Sequence, residues 1–219
     1  MLHGLLPDDV KTAWGDPRDD APLALPAEEA LIERAVDKRK REFRKARACA
    51  RALLAEFGVH DFALLSGAQR EPVWPEGIVG SVTHTDALCA VAVGTRVRYA
   101  GIGIDVESDA EMTAAVAERV ANREELLQAS ASSGLEPLRS AKLIFSAKEA
   151  FYKCQFCVTQ RFLGFKDVFV EVRPDGEFFV RVLVDVAELA ADVAFAGRWV
   201  RRGGFVLTSS WLGQKLGTK

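Results

Sequence analysis

The stretch GIGIDVESDAEM, residues 101–112, constrains the chain more than any other segment. An apolar, glycine-bearing run with the look of a buried strand ends in two carboxylates, Asp105 and Glu107, separated by one valine. Side chains alternate along a strand, so both acids project to one face and Val106 to the other. Two anions held side by side repel. On a solvated strand end such residues are ordinary surface groups, whereas a half-buried pair needs a cation, and hard oxygen donors suit Mg²⁺ or Mn²⁺.

The surrounding pattern sets the fold class. Residues 1–27 carry Pro7, Pro17, Pro22 and Pro26 among several aspartates and read as an irregular lead-in. Phe43, Ala46, Ala50, Leu53 and Phe57 recur at helical spacing and predict one helix over about 28–57. β-like runs follow at IVGSVTH, LCAVAVG and VRYAGIGIDVE. Two further helices are expected near 111–132 and 138–157. The strands DVFVEV, EFFVRVLVD, RWVRRG and FVLTSSWL come next, with PDG and GG as hairpin turns. Helical material followed by a meander, twice over, is an α+β order and not the strict alternation of a doubly wound sheet. The expected division is 1–108 and 109–219.

Composition excludes some classes. A formal charge of −2 on 219 residues gives no global attraction to nucleic acid or to a membrane surface. No run approaches the roughly 20 apolar residues of a membrane span, and the N-terminus turns acidic before a signal-peptide core develops, so a cytoplasmic protein is expected. Cys154 and Cys157 form a C-x-x-C that closes a helical pattern instead of opening one. With three histidines in the chain and no second cysteine pair, they read as small hydrophobes and not as a redox or zinc motif.

The second informative segment is IFSAKEAFYKCQ, residues 144–155. On a helix, Leu143, Ala147, Ala150, Phe151, Cys154 and Val158 make one apolar stripe. Lys142, Ser146, Glu149 and Lys153 make another. Alone, Glu149 and Lys153 describe an i, i+4 pair of roughly 0.2–0.5 kcal/mol on a solvated helix. Between Lys38 and Arg51 stand eight Lys or Arg and one Glu, a run that by itself reads as a solvated face or a polyanion patch.

Together, GIGIDVE and FSAKEAFYK resemble the paired signatures of the 4′-phosphopantetheinyl transferases of the surfactin type, or enterobactin synthase component D group. The resemblance extends through KRKREFRKARACARALL (38–54), GAQREPVWPEGIVGSVTHTD (67–86) and TQRFLGFKDV (159–168), in the family's order. It implies transfer of the 4′-phosphopantetheine arm of coenzyme A to a serine of an apo acyl, aryl or peptidyl carrier protein, releasing adenosine 3′,5′-bisphosphate. The implied fold is a pseudo-twofold pair of similar helix-plus-antiparallel-sheet halves, with the active site in the cleft between them. The first half would donate Asp105 and Glu107 and the second Glu149, the three metal ligands. Glu149 and Lys153 would be catalytic, as base and phosphate holder. Coenzyme A would meet Arg39 and Arg47 at the 3′-phosphate, Arg70 near the adenine, and Thr83, His84, Lys148 and Lys153 at the phosphates. The chain departs from the pattern at Phe162, where the family often has tryptophan, and at Ser66, where it often has lysine.

A monomer is expected, with no nucleic acid partner. Two other readings stand beside this one. A D-x-E with a further Glu and Lys also describes metal-dependent phosphodiesterases and nucleases, and a basic helix serves non-catalytic modules.

Overall fold

The computed structural model describes residues 1–189 and 195–214, so the end expected for the second half, residue 219, lies outside the described residues. The elements, in order, are β1 (Lys11–Gly15), α1 (Pro26–Glu29), α2 (Asp37–Glu56), β2 (Ile78–His84), β3 (Cys89–Thr95), β4 (Tyr99–Ser108), α3 (Ala114–Val120), α4 (Arg123–Ser133), α5 (Pro137–Thr159), β5 (Val168–Val172), β6 (Glu177–Val182), β7 (Phe195–Arg202) and β8 (Phe205–Gly213). They form an α+β fold with two antiparallel sheets, ordered β1-β3-β2 and β4-β8-β7-β6-β5. No described helix is long and apolar enough to cross a membrane.

Three expectations change here. The lead-in is not wholly irregular: KTAWG forms β1 and pairs with β3, from Lys11 opposite Val93 to Gly15 opposite Cys89. A five-residue strand that completes its ladder on a distant partner leaves almost no local alternation to detect.

The long first helix is broken. α1 passes into a 3₁₀ turn at Ala30–Ile32, and α2 starts only after an extended Val36. The cause is tertiary. Glu28 is fully buried, accepting from the amides of Leu25 and Leu64 and from Arg51 at 2.7 Å, so this turn folds inward against α2. The helix expected near 111–132 is likewise split, at Asn122, whose side chain accepts from the Glu125 amide while Glu125 accepts from the Asn122 amide.

The third change concerns the strand that bears the two acids. β4 hydrogen-bonds along its length to β8, with Asp105 directly opposite Thr208, and so belongs to the second half's sheet and not the first. Its other edge meets β2 without a ladder. Instead the hydroxyls of Ser81 and Thr83 accept from the Ile104 and Val106 amides at 3.1 and 3.3 Å, and the Lys153 ammonium donates to the Ile104 carbonyl at 3.1 Å. Side chains thus satisfy an edge that would otherwise present bare backbone groups.

Alternation along β4 positions everything that follows. Ile102, Ile104 and Val106 face a core with Val79, Leu207 and the N-terminal residues Leu2, Leu5, Leu6 and Val10. Gly101, Gly103, Asp105 and Glu107 face α5. A Cβ on Gly103 would stand 1.8 Å from the Ala150 carbonyl oxygen, and one on Gly101 would stand 2.2 Å from that of Cys154. The two glycines therefore let the helix backbone lie directly on the strand. The other side of α5 buries Leu143, Ile144, Ala147 and Phe151 against Val168, Val170, Phe178 and Phe195. Phe151 meets Phe195 edge-on with ring centroids 4.9 Å apart, worth about 0.5–1.5 kcal/mol beyond the area buried. Cys154 is buried and Cys157 half-buried, both free thiols.

Candidate active site

α5 runs antiparallel along β4, so its second stripe lies over the strand's acids instead of in solvent. Lys142 reaches Glu107 at 3.3 Å, Ser146 donates to Asp105 Oδ2 at 2.9 Å, and Lys153 donates to Asp105 Oδ1 at 2.8 Å. Thr83, from across the seam, adds a bond to Oδ1 at 3.1 Å. Asp105 is thereby a buried carboxylate with three side-chain hydrogen bonds, two at Oδ1 from Thr83 and Lys153 and one at Oδ2 from Ser146. The Glu149–Lys153 pair suggested by helical spacing does not form, because Asp105 takes the lysine.

Glu149 is half-buried, and among the described residues its carboxylate hydrogen-bonds to no neighbour. Burial pushes its pKa above the ordinary 4.5; Lys153 opposes the shift, while the negative charges of Asp105 and Glu107 add to it. Glu107 is raised in the same way, first by burial and then by Asp105. Glu107 and Glu149 are therefore both raised by burial and by neighbouring negative charge.

Whether a metal fits follows from these contacts. Among the described residues no group of three or more acid, histidine or cysteine side chains is arranged to hold an ion. The reason is visible: the ammonium groups of Lys153 and Lys142 stand where a cation would, each on one of the strand's carboxylates. The donor chemistry nevertheless suits a hard divalent ion, and the unpartnered, raised Glu149 is the group such an ion would relieve.

Lys148 differs from expectation most sharply. Its ammonium is buried and donates to the Val120, Phe165 and Val168 carbonyls at 2.9, 2.7 and 3.1 Å, and it pairs with buried Glu125 at 2.8 Å. Burial lowers its pKa, opposed by Glu125. With its donors committed to α3, α4 and the approach to β5, this lysine is an anchor of the fold and does not present its charge to a phosphate. Thr83 also has a different task from the one expected, since its hydroxyl is spent on Asp105 and the Val106 amide.

The remaining cations form a second group. Arg39 contacts His84 Nε2, and His84 Nδ1 lies 3.5 Å from Glu42. Burial, then Arg39, lowers the His84 pKa, so the neutral ring accepts from the arginine. Arg47 is buried, its guanidinium 4.2 Å over the Phe43 ring and its Nε 3.6 Å from Glu28, without a hydrogen bond to that nitrogen. Desolvation, only partly offset by Glu28, brings its pKa to about 10. Arg70 stands apart in a left-handed backbone conformation, φ 66°, on the rim of a cleft of about 390 Å³. That cleft is also lined by Trp74, Gly80, Glu149, Tyr152 and Lys153, so the loop carrying Arg70 and the polar stripe of α5 share one space. Tyr152, which the sequence reading passed over, lines this cleft and a second one, of about 310 Å³, that also opens beside Glu149. The i+3 spacing from Glu149 was the available signal.

Carboxylates on a strand, a glutamate and a lysine on a helix laid over it, and arginines at the margin are the parts of a phosphoryl-transfer centre. Comparison with known proteins makes the class specific. The 4′-phosphopantetheinyl transferase N-terminal domain family matches residues 27–94, and the 4′-phosphopantetheinyl transferase superfamily matches residues 101–202. The chain is similar to the 4′-phosphopantetheinyl transferase Npt of Nocardia iowensis, at 35% identity over 95% of this chain and 98% of that protein. It is also 35% identical to the 4′-phosphopantetheinyl transferase PptT of Mycobacterium tuberculosis, over 90% and 88% of the two chains. Enterobactin synthase component D of Salmonella typhi is 32% identical over 78% and 71%. The chain belongs to the 4′-phosphopantetheinyl transferase superfamily and is a transferase.

Proposed function

We propose that the protein transfers the 4′-phosphopantetheine arm of coenzyme A to a serine hydroxyl of an apo carrier protein. The observation that carries this reading is the face-to-face placement of Asp105 and Glu107 on β4 with Glu149 and Lys153 on α5, in a chain of this family. The serine Oγ attacks the phosphorus that bears the pantetheine. The bond from that phosphorus to the oxygen bridging to the nucleotide phosphate breaks, and adenosine 3′,5′-bisphosphate leaves with the electron pair.

Glu149 is the group that takes the serine proton. Among the described residues its carboxylate has no competing hydrogen bond, and its raised pKa moves it toward the range where a base accepts a proton efficiently near neutral pH. Lys153, at the cleft, holds a phosphate oxygen once it turns from Asp105, acting as a point charge. Arg39, Arg47 and His84 form the anion site for the 3′-phosphate, and Arg70 borders the adenine end. Asp105, Glu107 and Glu149 would hold a Mg²⁺ or Mn²⁺, whose chemistry there is neutralisation of charge on the diphosphate. The protein is proposed to act as a monomer in the cytoplasm. Because some relatives are named as a component of enterobactin synthase, peptidyl and aryl carriers of a siderophore assembly line are the first carriers to test.

The test is to incubate the protein with coenzyme A, Mg²⁺ and a panel of apo carriers, then weigh the carriers. A gain of one phosphopantetheine on a serine is expected. No gain on any acyl, aryl or peptidyl carrier would overturn the reading.

A further inference from the structure

Two buried hydroxyls, from two different elements, are spent on one carboxylate, and a third backs one of them. Ser146 of α5 donates to Asp105 Oδ2 at 2.9 Å, and Thr83 of β2 donates to Oδ1 at 3.1 Å. Thr208 of β8, directly across the ladder from Asp105, stands 2.9 Å from Ser146 Oγ and donates to the Ser146 carbonyl at 2.8 Å. Ser146 and Thr208 are both fully excluded from solvent. The strand face on which Thr208 lies also carries Val206 and is roofed by the apolar side of α5, where packing alone calls for a valine. A hydroxyl is worth burying there only if its bonds are all made, and they are.

The donor assignment is unambiguous in sense. An ionised Asp105 only accepts, so Ser146 gives its proton to Oδ2. Ser146 Oγ is then left as an acceptor beside Thr208, and the Thr208 proton lies between that oxygen and the helix carbonyl. Thr208 therefore fixes the serine rotamer from behind, and the serine fixes the carboxylate.

We infer that Ser146 and Thr208 are positioning residues that lock the orientation of Asp105, tying Oδ2 back into the fold so that Oδ1 alone faces Lys153 and the cleft. The inference rests on the reading of Asp105 as a ligand-side acid, but it concerns the chain's own geometry. It explains why a motif position between two apolar helix residues is a serine, and why a β8 residue far away in sequence bears on the site. Losing such an outer partner typically costs 10–100-fold in metal affinity or activity.

The test compares Thr208→Val, which keeps the shape and removes the hydroxyl, with Thr208→Ser, which restores it. Three quantities are measured on the full chain: Mn²⁺ affinity by electron paramagnetic resonance, kcat and KM for carrier modification, and the Asp105 side-chain torsions in crystal structures. Thr208→Val is expected to weaken Mn²⁺ binding about 10-fold and lower kcat with little change in KM for coenzyme A, with Asp105 turned from its wild-type rotamer. Thr208→Ser is expected to recover all three. A Thr208→Val protein with wild-type Mn²⁺ affinity and an unmoved Asp105 overturns the inference. Wild-type protein that takes no Mn²⁺ at all would remove the metal from the proposed function, and the Asp105 rotamer in Thr208→Val would then decide the inference alone.

Discussion

Lys148 and Lys153 stand five residues apart on one helix, and the fold puts them to opposite uses. Lys148 is sealed among three carbonyls and Glu125, with 1% of its side chain exposed. Lys153 keeps 26% of its side chain exposed at the cleft and holds a single carboxylate and one carbonyl. The buried knot joins α3, α4, α5 and the start of β5. The cleft pair sits where α5 crosses β4. Five residues turn a helix far enough to move a side chain from one face to the other, so adjacency in a motif does not mean a shared role. The lesson is that a lysine's task follows from how many of its donors the protein already satisfies.

The comparison breaks first on Lys148→Met. Removing one partner of a buried ion pair strands Glu125, and a loss of about 3–5 kcal/mol in unfolding free energy is expected from urea denaturation. Lys153→Met, by contrast, is expected to lower carrier modification while costing much less stability; equal losses of stability in the two variants would erase the distinction. Next in size, Glu149→Gln should lower kcat by about 100-fold or more, as removal of a general base does, with an unchanged fold by circular dichroism. Retained activity would transfer the base role elsewhere.

Gly103→Ala sharpens the geometric half of the argument. A methyl forced against the Ala150 carbonyl should cost about 1–3 kcal/mol in thermal or urea unfolding and lower activity by lifting α5 from β4. The smallest effect is on pH. Glu149 carries a pKa raised above its unfolded value, so the folded state holds its proton more tightly, and ionising it costs stability as pH rises above the ordinary 4.5. In a chelator, Glu149→Gln should therefore melt higher than wild type at neutral pH, and the gap should close as pH falls below 4.5.

Much of this was legible in the sequence where local chemistry decides. The α5 stripe, the PDG turn and the paired glycines are there to be read; Gly176, Gly203 and Gly204 all take the positive φ those hairpins require. The alternation that sends Asp105 and Glu107 to one face also held. What escaped was whatever depended on a distant partner. β1 exists because β3 accepts it, and the first helix breaks because Glu28 finds Arg51 and two amides. β4 sits in the second sheet because β8 returns beside it. The same holds in the site. The Glu149–Lys153 spacing was right and the partner wrong, since Asp105 lies closer to the ammonium than any helix neighbour does. Lys148 could not be told from a phosphate ligand without Glu125, 23 residues away in the chain.

The proposed function requires β4 and α5 to bring Asp105, Glu107 and Glu149 around one cation. The most direct measurement is anomalous diffraction from crystals of the protein grown with coenzyme A and Mn²⁺. The account predicts one manganese peak about 2.0–2.2 Å from oxygens of all three acids, with Lys153 swung off Asp105 toward phosphate. A peak that leaves Glu149 uncoordinated, or the three acids still apart with Lys153 in place on Asp105 while coenzyme A is bound, would contradict it.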